Sequence, residues 1–172
     1  MEIVIEMACS INGLIAGEDG NEDFLLHRNY EIMIELLQEY DVLVWGSRTL
    51  DNVLSWGVDY IDDLKDIKVI ILSKEKKSID LPNVVVCNSL EECLSHCENN
   101  NYKKVFVGGG ATTNNLFMER NIVDKIILNY NPHVLNKGIP LFKGNYFSNK
   151  LRLNKVVHEK EDIVQIHYDV IK

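Results

Sequence analysis

The chain has 172 residues, 46% of them hydrophobic and 26% charged, ordinary globular usage that argues against disorder, collagen-like repeats or a disulfide-dense miniprotein. A formal charge of -8 with a pI near 5.1 speaks against nucleic-acid binding, which draws its affinity from clustered Lys and Arg. No apolar run nears the roughly 18 residues that cross a bilayer, and the first residues carry no basic stretch. The expectation is one cytoplasmic domain over residues 1–172, off the membrane, with Cys9, Cys87, Cys93 and Cys97 as free thiols.

Glu2 to Ala8 alternates apolar with polar residues and predicts a strand, followed by a Gly-rich stretch from Ser10 to Gly20 that predicts a mobile loop. From His27 to Tyr40, the spacing of Tyr30, Met33, Ile34 and Leu37 predicts an amphipathic helix, with Glu31, Glu35 and Glu39 on its polar side. The continuous apolar runs Val42–Trp45, Val69–Leu72 and Val105–Val107 have the pattern of central strands buried on both faces of a largely parallel sheet. Helices are expected just after Arg48, from Leu90 to Glu98 behind the capping-box pair Ser89 and Glu92, and from Thr112 to Asn121. A strand from Val123 to Tyr130 follows, and Asn99–Asn101 reads as a helix-ending turn. Leu151–His158 and Ile163–Val170 flank a charged turn and predict a terminal antiparallel hairpin at the sheet edge. The fold class is α/β, a three-layer α/β/α sandwich around a mixed, mainly parallel sheet.

Three strand-to-helix junctions carry phosphate-compatible chemistry. In the first, the strand ending at Val107 runs through Gly108, Gly109 and Gly110 into a helix opened by Ala111 and Thr112. Free backbone N–H groups and the positive end of a helix dipole at such a junction suit an anion. The second is Gly46, Ser47, Arg48 and Thr49; a cation at a helix start opposes the dipole unless an anion is bound. The third is Leu72, Ser73 and Lys74, with Lys76 and Lys77 beyond. Together they favour a ligand with several phosphates at the carboxyl edge of the sheet.

Met7 to Gly20, with Ser10, Asn12, Gly13, Ile15 and Ala16, resembles the first strand and loop of the dihydrofolate reductase fold in its riboflavin-biosynthesis reductase branch, where a Ser-Leu-Asp-Gly-x-Ile-Ala pattern is usual. Gly46–Thr49 matches that superfamily's Gly-Arg-x-Thr junction loosely. Gly108–Gly110, the helix to Arg120, Asn121–Lys125 and Pro132–Phe142 resemble the branch's C-terminal half, so the likeness covers nearly the whole chain. The resemblance implies a sheet of about eight strands and an NADPH-dependent reductase of a small heterocycle, pterin-, pyrimidine- or flavin-like. By this likeness Gly46 and Gly108–Thr112 (Gly108, Gly109, Gly110, Ala111, Thr112) hold the pyrophosphate end of NADPH. Ser47, Arg48 and Thr49 contact phosphate oxygens, and Leu72, Ser73 and Lys74 lie near the adenosine ribose and its 2′-phosphate. Ala8 and Ile15 flank the nicotinamide, the loop from Asn12 to Phe24 serves as a lid, and a homodimer forms through edge strands or the terminal hairpin.

Reduction of a C=N bond needs a proton donor beside the hydride, and the candidates near the first strand and helix are Asp23 and Glu31, with Asn12 as a further catalytic-site candidate. Asn12 stands where the branch pattern has Asp and cannot ionise, which counts against the phosphorylated ribosylaminopyrimidine of the riboflavin pathway as substrate. Lys137, Lys143 and Arg152 are the cations available for a substrate phosphate. The other alternative is a nucleotide-binding sensor or assembly protein without turnover. Cys93, His96 and Cys97 have helical metal-site spacing, but Leu90, Cys93, Leu94 and Cys97 trace a core stripe, so no metal is expected.

Overall fold

In the computed structural model, which describes residues 1–57, 60, 62–75 and 78–172, the apolar runs lie side by side in an eight-stranded sheet. Its strands are β1 (Glu2–Ser10), β3 (Val42–Gly46), β4 (Val69–Leu72), β5 (Val84–Cys87), β6 (Lys104–Val107), β7 (Lys125–Asn131), β9 (Lys150–His158) and β10 (Val164–Ile171). Their order is β5-β4-β3-β6-β1-β7-β10-β9. The pairings from β5 across to β7 are parallel, and β10 runs antiparallel to both β7 and β9. A second, two-stranded sheet joins β2 (Leu14–Ala16) to β8 (Ile139–Pro140).

The period of two along each strand sorts the side chains onto two helical layers. Ile3, Ile5, Val44, Val105, Val107, Ile126 and Leu128 pack against Leu90, Cys93 and Cys97 of α3 (Leu90–Asn99) and Phe117 and Met118 of α4 (Ala111–Glu119). Leu43, Trp45, Val69, Ile71 and Phe106 pack on the other face against Leu37 of α1 (Arg28–Leu37) and Leu50 and Val53 of α2 (Ser47–Trp56). The cysteine stripe of α3 is therefore core, and among the described residues no group of His, Cys, Asp or Glu is arranged for a metal ion. All four cysteines are buried and unpaired.

The Ser89 cap forms as its spacing predicts: its side chain accepts from the Glu92 N–H at 3.1 Å, and Glu92 Oε2 accepts from the Asn88 N–H at 2.6 Å. Three elements differ from expectation. The Gly-rich stretch after β1 contains β2, because Ile139 and Pro140, far along the chain, supply its partner strand. The Val84–Val86 run beyond Pro82 forms edge strand β5 beside β4. The helix after the Gly46 junction begins at Ser47 itself and runs for ten residues. No helix among the described residues is long and apolar enough to cross a membrane.

Candidate active site

A cavity of about 380 Å³ lies between the sheet and the α1–α2 layer, a volume within the range of small-molecule sites. Its floor is Glu6, Met7 and Ala8 of β1, Trp45 at the end of β3, and Gly108. Asn29, Tyr30 and Met33 of α1 and Val53 and Trp56 of α2 form its walls, and Ile15, Glu22, Asp23, Leu25 and Leu26 border it from the segment after β1. Tyr60 packs edge-on against Tyr30 and Trp56, with ring centroids 4.7 and 5.4 Å away, so one wall is aromatic. The wall is pinned to the sheet by a reciprocal amide pair: Asn29 Nδ2 donates to Asn131 Oδ1 at 2.7 Å, and Asn131 Nδ2 donates to Asn29 Oδ1 at 3.2 Å.

Glu6 is an ionisable group that the alternation of the first strand does not single out. Alternation in β1 reads as one solvated face, but β6 and β7 flank the strand and helices cover both sides, leaving Glu6 only 4% exposed. Burial pushes its carboxyl up to about 8, partly offset by the Asn129 hydrogen bond. Asn129 Nδ2 donates to Glu6 Oε1 at 2.6 Å, Gln165 Nε2 donates to Asn129 Oδ1 at 2.9 Å, and His167 Nε2 lies 2.6 Å from Gln165 Oε1. This chain of side chains across β1, β7 and β10 fixes the carboxyl in place. The available signal was a single carboxylate inside the apolar Ile3–Cys9 segment. Glu22 is a second raised carboxyl, shifted by burial and countered by Asn52, whose Nδ2 donates to it at 3.2 Å and ties the segment to α2.

The three catalytic-site candidates from sequence fall in different places. Asp23 borders the cavity, exposed, its Oδ2 accepting from Asn21 Nδ2 at 2.7 Å. Glu31 lies outside the cavity lining, paired with Arg28 at 3.1 Å with half its side chain in solvent, because its helical position faces away from the sheet. Asn12 also lies outside: its Oδ1 accepts from Ser10 Oγ at 2.9 Å and its Nδ2 donates to the Leu135 carbonyl at 2.7 Å, which staples two loops together. Lys137 and Lys143 are exposed away from the lining, and Arg152 pairs with Asp169 at 3.0 Å on the hairpin.

The phosphate-compatible junctions converge, because β4, β3 and β6 are neighbours and their carboxyl ends share one edge. The Gly46 N–H donates to the Gly109 carbonyl at 2.8 Å. Gly46 and Gly110 are the N-caps of α2 and α4, both extended and both without a side-chain cap, so two helix N-termini meet with uncapped N–H groups. The Gly109–Gly110 peptide is cis. Each glycine answers to a different neighbour. A Cβ at Gly108 would sit 2.5 Å from Trp45 Nε1, and one at Gly109 (φ +89) 2.7 Å from Met7 Sδ. At Gly110 it would meet only Thr49 Oγ1, at 3.4 Å, which leaves open space between the two helix starts. Ser47 and Thr49 are half-buried there, while Arg48 and Thr112 are exposed and Ala111 packs with Cys9 and Ile15. Leu72 is half-buried, Ser73 Oγ accepts from the Glu75 N–H at 3.4 Å, and Lys74 is exposed; Lys76 and Lys77 lie outside the described residues. Ala8, Ile15 and Gly108 belong to the cavity and link it to this edge.

The RibD C-terminal domain family matches residues 1–165. The chain belongs to that family. It is thereby placed among the oxidoreductases of the riboflavin-biosynthesis reductase family. The Bacillus subtilis (strain 168) protein YyaP, itself uncharacterised, is 26% identical over 183 residues, covering 96% of this chain and 93% of YyaP. A candidate riboflavin biosynthesis protein from Shewanella sp. PV-4 shares the fold with a TM-score of 0.82 at 23% identity over 100% of each chain. The Thermotoga maritima diaminohydroxyphosphoribosylaminopyrimidine deaminase/5-amino-6-(5-phosphoribosylamino)uracil reductase gives a TM-score of 0.75 at 15% identity, over 99% of this chain and 56% of that one. The fold of this chain, an eight-stranded sheet with a terminal hairpin, is shared with both solved structures.

Proposed function

We propose that this RibD C-terminal domain is an NADPH-dependent reductase of a small heterocycle. The observation that carries the reading is the meeting of two uncapped helix N-termini, at Gly46 and Gly110, beside a cavity whose floor includes Ala8 and Gly108. The residues fit a dinucleotide: the open space at Gly110 and the free N–H groups of α2 and α4 suit a diphosphate. Ser47 and Thr49 would add hydroxyl donors, and Arg48 and Lys74 would supply the cations that a 2′-phosphate requires. When bound, NADPH supplies a hydride.

Reduction of a C=N bond also takes a proton, and Glu6 holds one at neutral pH on the cavity floor. Glu6 is better placed for this than Asp23 at the rim or Asn12 and Glu31 outside it. Ile15, Glu22 and Asp23 border the cavity from the segment between β1 and α1, which serves as the lid, its base held by the β2–β8 pairing. The setting is the cytosol, where free thiols persist.

Titration calorimetry with NADPH and NADH, followed by NADPH oxidation with pterins, pyrimidines and flavins, tests the reading. Binding without turnover on any of them would favour the sensor alternative, and no binding of either nucleotide would remove the cofactor. Arg48→Ala combined with Lys74→Ala is expected to weaken NADPH by about 10- to 100-fold and NADH far less, since only the former carries the extra phosphate; equal losses would refute the two contacts.

The chain is proposed to act as a homodimer through β9. A register shift beside His167 keeps Leu151, Leu153 and Val156 on one face of the hairpin, the face on which Val170 packs into the core. All three stand 42–57% exposed, an apolar edge of the kind proteins cover. Sedimentation should show a dimer for the wild type and a monomer for Leu153→Asp; a wild-type monomer would overturn this.

A further inference from the structure

Four side chains form a hydrogen-bonded line from the cavity floor toward the hairpin edge of the sheet. Glu6 of β1 and His167 of β10 both stand opposite Ile127 of β7, and Asn129 of β7 stands opposite Gln165 of β10. Residues in register share one face of the pleat, and diagonal neighbours two positions apart are within reach of long side chains. Glu6, Asn129 and Gln165 are buried, so each polar end is satisfied by the next side chain in place of water.

The line has a direction. Asn129 turns Nδ2 to Glu6 Oε1 because its Oδ1 accepts from Gln165 Nε2, and Gln165 turns Nε2 to Asn129 because its Oε1 faces His167 Nε2 at 2.6 Å. An amide oxygen only accepts, so His167 Nε2 carries a hydrogen. Burial, with Lys155 and Lys125 nearby, pushes His167 below its ordinary value, so at neutral pH the ring is uncharged and holds that one N–H. With its hydrogen on Nδ1 instead, His167 would present a lone pair to Gln165, and both amides would have to turn over to avoid facing like groups. Asn129 would then offer Oδ1 to the carboxyl and draw the Glu6 hydrogen toward itself.

We infer that His167, through Gln165 and Asn129, is a positioning residue that keeps the Glu6 hydrogen on Oε2, free for a ligand in the cavity. Oε1 accepts from Asn129, which leaves Oε2 to carry the hydrogen, on a residue of the cavity floor. Asn129, Gln165 and His167 stand outside the cavity lining, so they act on a ligand only through Glu6. The inference rests on the reductase reading for the use of that proton, and adds the residues that aim it.

The test is spectroscopic and uses the full chain without nucleotide or substrate. NMR of isotope-labelled imidazole nitrogens at neutral pH, with His167 assigned as the signal that His167→Gln removes, should show the Nε2–H tautomer; the Nδ1–H tautomer would overturn the inference. The infrared C=O band of protonated Glu6 is the one that Glu6→Gln removes. Its frequency falls when the carbonyl oxygen accepts a hydrogen bond, so it reports which way Asn129 is turned. His167→Glu offers Gln165 a carboxylate acceptor, so both amides should turn over and the band should move up. His167→Gln keeps an N–H donor near the position of Nε2 and should leave the band as in the wild type. A band unmoved in folded His167→Glu, a band moved equally in both variants, or no protonated Glu6 band in the wild type would each overturn the inference. Should His167→Glu fail to fold, the wild-type tautomer decides the matter. Because neither measurement needs turnover, the expected tautomer and band in a protein that never takes hydride from NADPH would overturn the reductase reading alone.

Discussion

Gly110→Val is expected to abolish measurable NADPH binding while leaving the protein folded. Gly110 has φ -77 and ψ -161, a conformation open to any L residue, and its Cβ would meet only Thr49 Oγ1 within 4 Å, at 3.4 Å. The branched side chain would then occupy the space between the starts of α2 and α4, where the N–H groups proposed to hold the diphosphate converge. A loss of at least about 100-fold in affinity, near 2.7 kcal/mol, is expected by calorimetry, with an unchanged circular dichroism spectrum and only a small shift in Tm. Gly109→Ala provides the contrast. Its Cβ would lie 2.7 Å from Met7 Sδ at a φ of +89, so it should lose stability as well as binding. Full NADPH affinity in Gly110→Val would remove this junction from the cofactor site.

The second large effect is a pH-dependent stability difference between the wild type and Glu6→Gln. Burial raises the folded-state carboxyl to about 8 from an unfolded value near 4.5, so between those limits the folded state holds a proton that the unfolded chain has released. The stabilising contribution is complete below the unfolded value and is lost as pH rises toward the folded one, at about 1.4 kcal/mol per pH unit. Glu6→Gln keeps an acceptor for Asn129 and cannot ionise. Relative to the wild type it should therefore gain roughly 3 kcal/mol of stability between pH 5.5 and pH 8.5. Urea denaturation of both proteins at several pH values measures the gap. Cys9 and Tyr40, raised chiefly by burial with the charge of Glu6 a smaller cause, are both held near 12 and titrate above this window, while the remaining groups are common to the two proteins. A gap that does not change with pH would show that Glu6 is already ionised in the folded protein.

Much of the site edge was legible in local pattern. The Gly108–Gly110 run after a buried strand and the Gly46–Thr49 turn could be placed at helix starts because a strand, a glycine turn and a helix are read from adjacent residues. The Ser89 and Glu92 pair could be read for the same reason. The acid-base group was not legible. Glu2 and Glu6 look alike in an alternating strand, yet Glu2 is partly exposed and pairs with Lys125 at 2.8 Å, whereas Glu6 is enclosed. Glu31 drew attention as a helical acid near the first strand, but Arg28 claims it from the solvent side.

By itself the sequence determined the periods and punctuation of this protein: the long apolar strands and the amphipathic helices, where the glycines break them, and the terminal hairpin. Those features depend on residues within a few positions of one another. The tertiary structure decided which of the polar residues became buried, because that depends on the strands and helices packed alongside. Setting β1 between β6 and β7 turned Glu6 into a desolvated carboxyl, and aligning the ends of β3 and β6 brought Gly46 against Gly109. Ile139 and Pro140 made a strand of Leu14–Ala16 from across the chain. In each case the deciding partner is remote in sequence, and only the closed sheet brings it within reach.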